Sequence, residues 1–117
     1  MQLHAQTEKM LRLIQQAQNH WEKALTEVNP KDTGRHFVHD KRTHEYGISD
    51  ARVVKPNKVW AGGGINLSCI QGQKLPDAAS KRHPELAGQP FEACGISIII
   101  HTTNPFVPTM HANFRYF

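Results

Sequence analysis

The last 21 residues, 97–117, constrain the fold most, because they contain two strand-like segments joined by a loop with two prolines. Residues 98–100 are an apolar run, and residues 110–117 alternate between apolar and polar side chains. Alternate side chains of a strand share a face, so each segment should present a partly polar face. The polar members of these two faces are Ser97, His101, His111, Asn113 and Arg115.

If these two faces turn toward one cavity, they bring together a hydroxyl, an amide, a guanidinium and two imidazoles. Guanidinium and amide groups hold carboxylates, and imidazole moves protons near neutral pH. The pattern therefore predicts a site that binds a polycarboxylate and transfers protons on it. Phe114, on the same segment, should point to the opposite face of its strand.

An amphipathic helix is predicted for residues 3–28, and proline at position 30 should end it. Its apolar stripe has spacings of three and four residues. The members of the stripe are Met10, Ile14, Ala17, Trp21, Leu25 and Val28. We expect this stripe to pack on a sheet.

Residues 31–58 read as a polar loop region with a short strand at 52–54, and the histidines at 36, 39 and 44 as solvated loop residues. Three consecutive glycines, 62–64, interrupt the apolar segment 59–70 and predict a bulge or tight bend rather than a nucleotide-binding loop. Residues 71–90, rich in proline and glycine, should form a long surface connection.

The predicted fold class is α+β, with an N-terminal helix, residues 1–30, packed on an antiparallel sheet built from residues 59–117. A chain of 117 residues is expected to form a single domain, residues 1–117, around one modest core. Cys69 and Cys94 have no metal-ligand or CxxC spacing and should be small buried side chains.

The formal net charge of +4 contains no run of five Lys or Arg residues, which argues against nucleic acid and anionic lipid as partners. No apolar stretch approaches the roughly 18 residues of a membrane span, and the N-terminus lacks a secretory pattern. These features favour a reducing, cytoplasmic setting.

Several segments together resemble the oxygen-dependent coproporphyrinogen III oxidase family. They are residues 64–68 (GINLS), 75–76 (LP), 82–88 (RHPELAG), 91–97 (FEACGIS), His101, 104–109 (NPFVPT) and 111–115 (HANFR). The resemblance implies a homodimer with a large antiparallel sheet flanked by helices. It also implies oxygen-dependent oxidative decarboxylation of two propionates of coproporphyrinogen III to vinyls, which gives protoporphyrinogen IX. No organic cofactor is implied, and some members are described as binding a divalent metal.

The resemblance also implies roles for individual residues. Ser97, Asn113, Phe114 and Arg115 match substrate-binding positions. His111 matches the catalytic proton donor, and His101 and His111 together match metal ligands.

This chain departs from the family pattern at several places. Ala61-Gly62 replaces an acidic residue followed by an amide or lysine, Cys69 replaces a frequent histidine, and Thr102 replaces a frequent proline. The family's next motif, a glycine-rich loop with an essential aspartate, is absent from these 117 residues, as are later metal-ligand histidines. The sheet should therefore be incomplete relative to the family's.

These departures leave alternatives open beside the enzyme. One is a truncated, catalytically inactive remnant, and another is a module that binds a tetrapyrrole passively or dimerises. The reading frame after residue 117 would separate the remnant from the enzyme. Nucleic-acid binding would instead show a steep dependence on salt.

Overall fold

The structure, a computed structural model, describes residues 2–28 and 36–117. The elements in chain order are α1 (Ala5–Val28), β1 (Phe37–His44), β2 (Gly47–Val54), β3 (Trp60–Gly72), α2 (Asp77–Arg82), a 3₁₀ turn (Pro84–Leu86), β4 (Phe91–Thr102) and β5 (Met110–Tyr116). The five strands form one antiparallel sheet in the order β1-β2-β3-β4-β5, which confirms the predicted α+β class. None of the helices in these ranges has the length and apolar character needed to cross a membrane.

Helix α1 covers one face of the sheet, which we call the covered face. It packs on β3 and β4, where every second side chain over residues 65–69 and 94–100 is apolar and buried. The buried core residues of this layer are Ile14, Ile65, Leu67, Cys69, Cys94, Ile96, Ile98 and Ile100. The intervening residues of both strands point to the opposite, open face, over which no other element of the described chain packs.

The predicted helix stripe is confirmed from Met10 to Leu25, whose members pack against the core. Val28 is an exception, since 60% of its surface is exposed. One turn earlier the helix still contacts the sheet, since the indole N–H of Trp60 donates to the carbonyl oxygen of Leu25 at 3.1 Å. The helix end predicted at residues 29–30 lies outside the described residues.

The loop predicted for residues 31–58 is wrong for most of its described part, because β1 and β2 form a hairpin there. The two strands lack the alternation of apolar and polar residues that predicts a strand, because some of their inward positions are charged. Arg52 of β2 faces α1, and its guanidinium donates to Glu22 at 2.8 Å. A ring nitrogen of His39 on β1 lies 2.6 Å from the same carboxylate. His36, predicted to be solvated, is 8% exposed.

The bulge predicted at the glycines is confirmed. The register of β3 against β4 shifts between Trp60 and Gly62, so Ala61 is the extra residue. Gly63 adopts φ +139°, and a Cβ there would overlap the carbonyl oxygen of Ile99. Only glycine meets both conditions without strain.

The connection predicted for residues 71–90 is shorter than expected, because β3 continues to Gly72. The remainder contains α2 and the 3₁₀ turn. Residues 81–90 are exposed throughout, as expected of a surface connection.

Candidate functional site

The strand register arranges the open face into rows of side chains. One row runs Ala51, Asn66, Ser97 and Asn113 across β2, β3, β4 and β5. The next row runs Ser49, Ser68, Gly95 and Arg115 across the same strands. Directly opposed residues on antiparallel strands lie about 4.5–5.5 Å apart at Cβ, so the polar groups within a row are neighbours.

The two rows line a shallow depression of about 220 Å³. Its lining includes Ser97, Asn113 and Arg115, three of the residues that the sequence singled out. The strand alternation that groups these side chains on one face therefore also gives them a shared concave surface.

The two histidines lie beside the depression. His111 is opposite Ile99, one row away from Asn113, and His101 follows two residues beyond Ile99 on β4. The imidazoles are thus diagonal neighbours on the open face, a spacing of roughly 7–8 Å between Cα atoms. A ring nitrogen of His101 lies 3.3 Å from the hydroxyl of Thr109, and both histidines are exposed.

Phe114 is the one predicted substrate-binding residue that the structure does not bring to this face. It lies on the covered side of β5, and its ring centroid is 6.2 Å from that of Trp21. Only its backbone borders the site, so the role predicted for its side chain has no support from this geometry.

The open face carries an excess of positive charge near Arg115. Over the described length of β2 to β5 no Asp or Glu side chain occupies this face, because the acidic residues Asp50 and Glu92 point to the covered side. The carboxylate of Asp40, on the distant strand β1, is already paired with Arg42 at 2.9 Å. The guanidinium of Arg115 has no hydrogen-bond or ion-pair partner among the described residues. An anionic ligand would therefore meet donors and no competing carboxylate.

The histidines do not form a complete metal site with other side chains. In residues 2–28 and 36–117, no three or more His, Cys, Asp or Glu groups converge in a way that would hold an ion. His101 and His111 offer two imidazoles, whereas a tetrahedral site needs four ligands. Cys69, which stands where the family often has histidine, points to the covered face. The side chains of the described residues therefore do not fit a metal on their own.

The two cysteines face each other across β3 and β4 and are 0% and 1% exposed, as predicted for small core residues. Burial raises the thiol pKa of both, and that of Cys94 rises to about 12. Because the thiolate is the reactive form, these groups are chemically inert at neutral pH.

A second, larger cavity of about 530 Å³ lies at the N-terminal end of α1, near Gly72 and Phe117. Its ionisable groups include Glu92, whose carboxylate accepts from the backbone N–H of His4 at 2.9 Å. None of the residues predicted to act in catalysis or substrate binding lines it. The smaller depression is the better candidate because it combines the unpaired donors.

Sequence reasoning missed the contribution of Ser49, Asn66 and Ser68 to the depression. A signal was present for two of them, since Asn66 and Ser68 alternate with Ile65, Leu67 and Cys69 in a period of two. Ser49 had no such signal, because the inward residues that flank it in β2 include a charge.

Comparison with known proteins bears on this arrangement. The family model described as coproporphyrinogen III oxidase matches residues 9–117. Similar relatives are oxygen-dependent coproporphyrinogen-III oxidases of three Coxiella burnetii strains, Dugway 5J108-111, RSA 331 / Henzerling II and RSA 493 / Nine Mile phase I. Each is 50% identical over 71 residues, which is 61% of this chain and 23% of the relative. The matched part thus spans about a quarter of those proteins. On the match to residues 9–117, the chain belongs to the coproporphyrinogen III oxidase family.

Proposed function

We propose that this chain provides part of the substrate site of an oxygen-dependent coproporphyrinogen III oxidase. The single observation that carries the proposal is the group of unpaired donors in two neighbouring rows of the open face, where Ser97, Asn113 and Arg115 line one depression. The family membership supports the same substrate, which carries propionate carboxylates.

The reaction requires a balance of carbon, protons and electrons. Each propionate loses carbon dioxide, one proton and two electrons as it becomes a vinyl group. The four electrons from two propionates, with the two protons that these release and two more from solvent, reduce one oxygen molecule to two waters or two oxygen molecules to two molecules of hydrogen peroxide. Oxygen is therefore the co-substrate, in agreement with the relatives named oxygen-dependent.

The roles of the side chains follow from their chemistry. Arg115 holds a propionate through paired, charge-assisted hydrogen bonds, and Asn113 and Ser97 donate further hydrogen bonds. His111, one row away from Asn113, is the proposed proton donor. His101 adds a second imidazole beside it. The open face thus binds and orients the substrate.

A binding titration tests this proposal. Coproporphyrin III, a stable tetracarboxylate analogue, should bind to the 117-residue chain and quench its Trp fluorescence. Arg115→Lys should lower the affinity by about 1–3 kcal/mol, because lysine cannot form the bidentate pair. The matched control is Arg42→Lys, on the same sheet face but already paired with Asp40. Equal affinity in Arg115→Lys and the wild type would contradict the assigned role.

Turnover is a separate measurement. We expect the 117-residue chain alone to convert little or no coproporphyrinogen III in the presence of oxygen, since residues that act as a unit lose most of their effect together. The part matched to the relatives is about a quarter of their length. Robust formation of protoporphyrinogen IX by the purified chain would contradict this expectation. Binding without turnover is the outcome expected of a chain that provides part of the substrate site.

A homodimer and a cytoplasmic location belong to the same proposal and rest on the family resemblance. Sedimentation equilibrium of the purified chain tests the first, and a dissociation constant above the millimolar range would reject it. Fractionation of cells that express the protein tests the second.

A further inference from the structure

Gly95 interrupts the open face at a position between two donors. It pairs with Ser68 on β3 and with Arg115 on β5, so the three residues lie in one row. The next outward position along β4, Ser97, carries a side chain, whereas Gly95 has none. The row therefore contains a notch, with Ser68 on one wall and Arg115 on the other.

The notch has room for a small anionic group. Neighbouring strands are about 4.8 Å apart, so the backbones of Ser68 and Arg115 are separated by roughly 10 Å. A Cβ on Gly95 would lie 3.1 Å from the carbonyl oxygen of Phe114 and 3.7 Å from the Cβ of Arg115. A side chain at Gly95 would thus fill the floor of the notch at the base of the arginine.

Ser68 is the β3 residue that faces the notch, whereas Asn66 is turned away from it. The amide of Asn66 leans along the strand toward Gly64, and its Oδ1 is 3.3 Å from the position of a Cβ on that glycine. The hydroxyl of Ser68 has no hydrogen-bond partner within the part of the chain that the structure describes. It remains available to a ligand.

We propose that Ser68 and Gly95 complete a carboxylate subsite with Arg115. A carboxylate offers about four lone-pair sites, and a bidentate guanidinium uses two of them. The hydroxyl of Ser68 donates to the carboxylate from the opposite wall, and the missing side chain of Gly95 lets the group enter. The inference rests on the proposed function, which supplies a propionate as the occupant.

The test uses sodium propionate as the probe at constant ionic strength. Amide signals of the ¹⁵N-labelled 117-residue chain are followed by NMR. We expect saturable shifts at Ser68, Gly95 and Arg115. Ser68→Ala should weaken binding about threefold to tenfold, as for the loss of one ordinary hydrogen bond in a solvent-exposed site. Ser68→Thr keeps the hydroxyl and should restore most of the affinity.

A matched control is Ser80→Ala, whose hydroxyl bonds to the carbonyl oxygen of Pro76 in α2, outside the depression. It should leave propionate binding unchanged. Unaltered affinity in Ser68→Ala, or no saturable shift at the three amides, would overturn the subsite.

The same variants titrated with coproporphyrin III separate the two proposals. Suppose that coproporphyrin III binds, and that Arg115→Lys lowers its affinity whereas Ser68→Ala leaves it unchanged. The subsite is then rejected and the proposed function is supported. If propionate binding depends on Ser68 but coproporphyrin III does not bind, the subsite stands and the proposed function falls.

Discussion

The two faces of the sheet are built from the same strands but have opposite physical character. On the covered face, Ile65 and Ile98 are 0% and 2% exposed and pack under α1. On the open face, the side chains of Asn113 and Arg115 are exposed, and within the described chain they make no hydrogen bond. Burial of apolar surface stabilises the fold, whereas unpaired donors stabilise nothing until a ligand arrives. The residues that stabilise the fold and those proposed to bind the substrate therefore alternate along the same strands.

The largest expected difference in the free energy of unfolding is between substitutions of two adjacent isoleucines of β4, one on each face. Ile98→Ala removes a side chain that is 2% exposed and should lower the free energy of unfolding by about 3–4 kcal/mol, through lost burial and a cavity. Ile99→Ala removes the same atoms from the open face and should cost about 1 kcal/mol or less. Urea denaturation of both variants measures the difference. Equal losses would show that the open face is as well packed as the covered one.

A smaller loss of stability is expected for Gln18, a polar residue of α1 that is buried against the covered face. Gln18 is 0% exposed, and its Nε2 donates to the carbonyl oxygens of Asp50 and Ile65, each at 3.0 Å. Gln18→Ala should lower the free energy of unfolding by about 2 kcal/mol, because these bonds and their packing are lost together. Gln16→Ala is the matched control on the exposed side of the helix and should change it by less than about 0.5 kcal/mol.

The smallest expected effect is the change in the free energy of unfolding with pH. Burial raises the thiol pKa of Cys94 from 9.0 to about 12, so the unfolded chain releases this proton at lower pH than the folded one. Stability from this group is fully present below pH 9 and is lost as pH rises toward 12. The loss at pH 10 should be on the order of 1 kcal/mol. Thermal or urea denaturation between pH 8 and 10 should show a shallower decline in Cys94→Ala than in the wild type. Identical slopes would contradict the role of the thiol.

The sequence predicts an element of the structure well when the residues that the element buries are apolar. Helix α1 and strands β4 and β5 follow from periodicity, because their inward positions are mostly hydrophobic. Strands β1 and β2 do not, because their inward positions include charged residues such as Asp50 and Arg52, and Arg52 pairs with Glu22 of the helix as well as with Asp50. The partner of an inward charge lies about 30 residues away in sequence, so no local pattern reveals it.

The candidate site was predictable for the same reason and to the same extent. Strand alternation groups Ser97, His101, His111, Asn113 and Arg115 on one face, and the structure places them there. It could not show that β3 lies beside β4 in a register that puts Ser68 and Arg115 on either side of Gly95. The register between two strands that are separated by a long connection depends on contacts throughout the sheet, so no local sequence pattern reveals it.

The strand order has a consequence for how the chain folds. Every strand pairs with its neighbour in sequence, so the sheet can grow by adding one hairpin at a time. Helix α1 instead makes distant contacts, such as the bond between His4 and Glu92, 88 residues apart. Closing such long loops has a higher entropic cost and correlates with slow folding. We expect the hairpins to form early. The N-terminal helix should dock late, and its docking should bury the core residues of the covered face.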